Sequence, residues 1–116
     1  MSSLRDTIFA AKVREAVTDI PGIGPVLFRG ISAAAKGRIY DATRVEDSEK
    51  TDAAKYYPAL LIESAHDPET RQPLFTPADL DALASLPAEV VDAMGVEASK
   101  LSGLDQKAAA ALEKNS

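Results

Sequence analysis

His66 is the chain's one histidine, and Glu63, Asp67 and Glu69 stand within three residues of it. An imidazole beside carboxylates can hold a divalent metal or pass a proton as a His–carboxylate pair. Such metal sites need three or four converging ligands, whereas His66-Asp67-Pro68-Glu69-Thr70 reads as a type I turn with proline second. His66 is therefore expected as a solvated helix-end residue, favoured by the negative pole of the helix. No serine sits in a G-x-S-x-G elbow, and there is no cysteine, so no activated nucleophile is in view. Asp79, Asp81, Glu89 and Asp92 resemble a carboxylate cluster but are spread over two helix starts, where acids serve as caps and solvated faces. The glycine-rich stretch Pro21-Gly22-Ile23-Gly24-Pro25 is no phosphate cradle: Pro25 removes an N–H donor and no Lys-Ser/Thr follows. No catalytic residue, metal ligand or cofactor site is assigned, and the chain reads as a non-enzyme.

That proline–glycine stretch organises the chain in another way. Proline fixes φ and lacks an N–H, and glycine reaches positive φ, so no regular element passes through it. Before it lie Ala16, Val17, Thr18 and Ile20; after it lie Val26, Leu27, Phe28 and Ile31. Two β-branched apolar runs across a dense turn signal predict a β-hairpin over about residues 13–31. The same letters also resemble a helix-hairpin-helix nucleic-acid-binding module centred on Pro21–Pro25, since Val13, Val17 and Ile20 fit helical spacing too. That motif opens its second helix with small or basic residues, where this chain has Val26, Leu27 and Phe28, with Arg29 the only nearby cation. The two readings differ in one observable: strands or helices over residues 15–30.

Composition narrows the class. A chain of 116 residues, 46% apolar, is long enough for a single domain burying about two thirds of its unfolded surface. A net charge of −5 with no basic block argues against nucleic acid, whose affinity rests on neutralised phosphates. No apolar run approaches the ~18 residues of a membrane span, and the start lacks a signal-peptide core. The expectation is a soluble, intracellular protein.

The remaining chain reads as helix. Ser2 or Ser3 caps a short segment whose Leu4, Ile8 and Phe9 make one apolar stripe. Ser32 caps a helix from Ala33 to about Asp41, with Ile39 and Tyr40 inward. Thr43 to Asp52 is a polar surface loop. In the next helix Pro58 marks either a kink or the true start, with Leu60, Leu61 and Ser64 buried and Tyr57 flanking. Gln72 to Phe75 is extended, Thr76-Pro77-Ala78-Asp79 begins a helix with Leu80 and Leu83 inward, and Ser85-Leu86-Pro87 begins another. The last long helix carries Val90, Val91, Met94, Ala98 and Leu101 on one face, with Gly95 at its edge and Gly103 as its stop. Residues of about 105–116 form an alanine-rich, loosely attached tail. The fold class is α+β: one mainly helical domain over residues 1–116 with an N-terminal β-hairpin.

Three groups of residues, in this order and spacing, carry a resemblance over nearly the whole chain. They are Val26, Arg29, Gly30, Ile31 and Ser32; then Asp67, Pro73, Leu74, Phe75, Asp79, Leu80 and Leu83; then Leu101, Ser102, Gly103, Leu104, Lys114 and Asn115. The arrangement resembles the small tail assembly chaperones of long-tailed bacteriophages and prophages. It departs from them in its PGIGP turn, where an aromatic turn is common, in Ala35, where an acid is common, and in Pro58. The resemblance implies a non-catalytic protein that binds the tape-measure protein and tail-tube subunits in the host bacterial cytoplasm and is absent from the mature virion. It implies no cofactor, nucleic acid or membrane, and leaves self-association open. A client surface is expected at Met94, Leu101, Leu104 and Leu112, or along an exposed hairpin edge.

Overall fold

The computed structural model describes residues 3–45 and 52–104. Leu112, Lys114, Asn115 and the rest of the expected tail lie outside the described residues, as does most of the polar loop before Asp52. The hairpin consists of β1 (Glu15–Ile20) and β2 (Gly24–Arg29), antiparallel from Glu15↔Arg29 to Ile20↔Gly24. Its turn closes with the Ile23 N–H donating to the Ile20 carbonyl at 2.9 Å. Pro21 holds the second position and Gly22, at φ 79°, the third, where a side chain would be strained. Strands on both sides of the turn exclude the helix-hairpin-helix alternative, which requires helices there.

Strand alternation puts one face of the hairpin on the main cluster, and β2 is covered on both faces, since Leu27, between Val26 and Phe28, is also buried. Ile20, Val26 and Phe28 join the main apolar cluster, while Val17 is 56% exposed. A third strand was not anticipated. β3 is only Ala65–His66, pairing antiparallel with β2 at Phe28↔Ala65 and Leu27↔His66, which makes β2 the central strand. Two residues are too few for any periodic signal; the strand exists because β2 offers its second edge. His66 is thus corrected: it is a buried strand residue, 8% exposed, rather than a solvated helix end.

Helix α1 (Leu4–Phe9) is set by a capping box: Ser3 Oγ accepts from the Asp6 N–H at 3.1 Å and the Asp6 carboxylate accepts from the Ser3 N–H at 3.4 Å. Helix α2 (Ala33–Thr43) starts on Ser32, whose hydroxyl accepts from the Ala35 N–H at 3.1 Å. Ile39 points inward, but Tyr40 does not; it is 49% exposed, because adjacent helical residues diverge by about 100° and Ile39 takes the core position. Helix α3 (Ala53–Ser64), capped by Asp52, runs through Pro58, which is buried with Ala59, Leu60, Leu61 and Ser64.

A 3-10 turn (Pro77–Asp79) leads into α4 (Leu80–Ala84), and α5 (Ala88–Leu101) completes the body. Helix α3 is central, packing against α2, α4 and α5, with the sheet against α5. Gly95 brings α5 onto α3: a Cβ there would lie 2.4–2.7 Å from ring carbons of Tyr57. Helix α5 ends as Gly103 predicts. With Gly103 at φ 74°, the Leu104 N–H reaches the Ser99 carbonyl at 2.7 Å, the bond of a Schellman turn.

Candidate interaction surface

Four of the polar groups that could have done chemistry are engaged in building the scaffold. His66 Nδ1 lies 2.8 Å from the Ser64 carbonyl oxygen, so its N–H donates there. Glu63 pairs with Arg38 across α2 and α3. The Asp67 carboxylate accepts from the backbone N–H groups of Glu69 (2.8 Å) and Thr70 (3.2 Å), closing the loop between His66 and Pro73. Asp79 accepts from the Thr76 N–H at 2.8 Å as the acid of a capping box. Among the described residues, no group of three or more His, Cys, Asp or Glu could hold a metal ion.

The positions shared with the resembled family are likewise mostly architectural. Arg29 meets Glu15 at 3.2 Å, Ser32 caps α2, and Asp67 and Asp79 organise turns. Gly30 is buried against the end of α5, where a Cβ would meet the Leu101 carbonyl oxygen at 2.6 Å. Phe75 and Leu80 are half-buried against the core, whereas Leu74 is 43% exposed.

Glu15 ties three segments together. Both its carboxylate oxygens lie 2.8 Å from Arg71 Nη2, and Arg29 approaches from the neighbouring strand. The hydrogen bond from Arg71, helped by the charges of Arg71 and Arg29, holds the Glu15 carboxyl below its ordinary value of 4.5 despite some desolvation. A depressed acid stabilises the fold above its unfolded pKa and loses that contribution as pH falls through the folded value. The melting temperature is therefore expected to fall less steeply below about pH 5 in Glu15→Gln than in the wild type. Parallel acid limbs in thermal melts would dismiss this ion cluster as a stabilising feature.

Apolar surface is left uncovered in three places. Strand β1 is an edge strand, its outer backbone without a strand partner among the described residues, and Val17 and Ile23 are 56% and 52% exposed beside it. On the opposite part of the sequence, Leu101 and Leu104 are half-buried against the core, but Met94 is only 4% exposed and lies inside it. Helix α5 thus uses Met94 for its own packing, and what it can offer a partner begins at Leu101. Helix α1 has no buried residue at all.

A fourth apolar feature is a groove of about 380 Å³ between α2, α3 and the 73–80 segment, walled by Ile39, Ala59, Ile62, Phe75 and Leu80. The Arg38–Glu63 ion pair stands at its rim. The sequence hinted at it only through Ala59 and Ile62, three apart on one helix face and so neighbours in space.

No protein-family model matches the chain, and no curated protein does. Among solved structures, that of the bacteriophage HK97 tail assembly chaperone is similar to it, at 22% sequence identity and a TM-score of 0.57. The similarity covers 86% of this chain and 98% of the HK97 protein. The α+β fold expected from the sequence is therefore the fold of a phage tail assembly chaperone, spanning almost all of it.

Proposed function

We propose that this chain is a non-catalytic phage tail assembly chaperone. It would cover apolar stretches of a tape-measure protein, and bring tail-tube subunits to it, in the host bacterial cytoplasm, and be absent from the mature virion. The observation that carries the reading is the near-complete fold likeness to the HK97 chaperone. Fold alone does not specify function, so the surface must also suit the task. A long apolar stripe on a client aggregates unless it is covered by apolar surface that can let go again. The open β1 edge with Val17 and Ile23 has that character: backbone groups to pair a client segment and side chains to bury beside it. Leu101, Leu104 and Leu112 are the second proposed contact, and the core that Leu101 and Leu104 pack against contains Met94.

The test is co-expression of the tagged chain with the neighbouring reading frames, followed by capture and mass identification. A long helical protein or a tail-tube subunit is expected in the bound fraction, retained in high salt. Val17→Asp with Ile23→Asp should reduce that capture at least about tenfold while leaving the melting temperature nearly unchanged, as exposed substitutions do. Failure to capture either client would sink the chaperone reading; equal capture by the variant would move the contact off the hairpin edge.

A further inference from the structure

The hydrogen-bond phase of the hairpin decides which groups of β1 are free. The Gly30 N–H donates to the Arg14 carbonyl at 2.7 Å, and residues 14 and 30 stand opposite each other in the register that pairs Glu15 with Arg29. Opposed residues of an antiparallel pair alternate between bonded and non-bonded, so Ala16, Thr18 and Ile20 spend their N–H and C=O groups on β2. The backbone groups of Glu15, Val17 and Asp19 therefore point away from the sheet, with no strand beyond them among the described residues. The neighbouring strand keeps the same phase: the carbonyl of Arg29, opposite Glu15, turns away from β1 and accepts from Ser64 Oγ at 2.7 Å.

An open edge is ordinarily blunted by proline, lysine or a bulge. Strand β1 has none of these over its six residues, and its register with β2 is unbroken. What it carries instead is an acid two residues to either side of Val17, on the same face. Two copies pairing antiparallel about Val17 would set Glu15 against Asp19 twice, and like charges directly opposite destabilise a ladder. The edge thus rejects its own copy and suits a strand of opposite charge. The two acids are not equivalent. Glu15 is already met by Arg71 and Arg29, whereas Asp19 is exposed and has no ion-pair partner among the described residues.

We propose that β1 takes its client as an added antiparallel strand, one that carries a β-branched apolar residue opposite Val17 and a lysine or arginine two residues earlier, opposite Asp19. The place opposite Glu15 calls for a neutral residue, because that charge is already matched. Backbone bonds at Glu15, Val17 and Asp19 supply affinity, and the side chains opposite Val17 and Asp19 supply selection. The proposal rests on the reading of β1 as a client edge and adds the client's conformation, direction and charge there.

The test uses the full-length, isotope-labelled chain and a capped peptide, Thr-Thr-Lys-Thr-Val-Thr-Thr, with a second peptide in which glutamate replaces the lysine. On binding the lysine peptide, amide exchange followed by NMR should slow at Glu15, Val17 and Asp19. It should stay unchanged at Ala16, Thr18 and Ile20, whose N–H groups are already bonded. Asp19→Lys should weaken the lysine peptide about fivefold and strengthen the glutamate peptide by a similar factor. Val17→Pro removes an outward N–H and leaves the bonds to β2 in place, so it should abolish binding of both with little change in melting temperature. Protection that does not alternate, or that falls on Leu101 and Leu104, would overturn the proposal in favour of side-chain docking. Slowing at the same three amides without peptide, growing with protein concentration, would overturn it in favour of a second copy. No protection at millimolar peptide, or no change of preference in Asp19→Lys, would overturn it outright. A tail client captured in co-expression beside a failed peptide titration sinks this proposal alone. A peptide that binds in this way while no tail client is captured sinks the chaperone reading alone.

Discussion

Phe28→Ala is expected to lower the unfolding free energy by about 3–5 kcal/mol, the range for deleting a fully buried phenylalanine side chain. Phe28 is 0% exposed on the central strand, and its cross-strand neighbours on the same face are Ala16 and Ala65. Alanines cannot reach into the vacated space, so the site collapses poorly and the cavity penalty stands in full. At about 4 °C per kcal/mol for a domain of this size, the melting temperature should drop roughly 12–20 °C. Val17→Ala, at an exposed position one strand away, should stay within about 0.5 kcal/mol. Chemical denaturation of both variants is the measurement. A loss below about 1 kcal/mol for Phe28→Ala would mean that the hairpin is not locked onto the helices as described.

Gly30→Ala is the second large effect, expected at about 2–3 kcal/mol, or roughly 8–12 °C in melting temperature. The cause is space. A Cβ would stand 2.6 Å from the Leu101 carbonyl oxygen and 3.5 Å from the Arg14 backbone nitrogen, both main-chain atoms that cannot rotate away. The end of α5 is held by its glycine turn, and the other side by the Gly30–Arg14 hydrogen bond, so neither wall yields cheaply. Gly37→Ala provides the opposite sign in the same experiment. It lies in α2 with nothing within 4 Å of the added methyl, and should stabilise by about 0.5–1 kcal/mol through helix propensity. Equal and small effects at the two glycines would refute the close approach of β2 to α5.

What was legible in the sequence was whatever local physics decides. Proline and glycine at Pro21–Pro25 forced a turn, and β-branched residues on either side made strands of its flanks. Ser32, Thr76 and Gly103 marked helix ends through bonds that close within a few residues. The stripe of α5 was legible because its 3.6-residue period is long enough to read. Tertiary structure decided the rest. Strand β3 has two residues and no periodic signature; it is a strand because β2 had an edge to fill. His66 became buried with it, and Met94 was claimed by the core, because an apolar stripe does not say whether its cover is internal or a partner. The roles of Gly30 and Gly95 come from which backbone and which ring arrive from elsewhere in the chain, a fact no local pattern holds. That Leu4, Ile8 and Phe9 stand in solvent likewise became visible only when exposure could be measured, since composition there is the same whether the stripe is buried or bare.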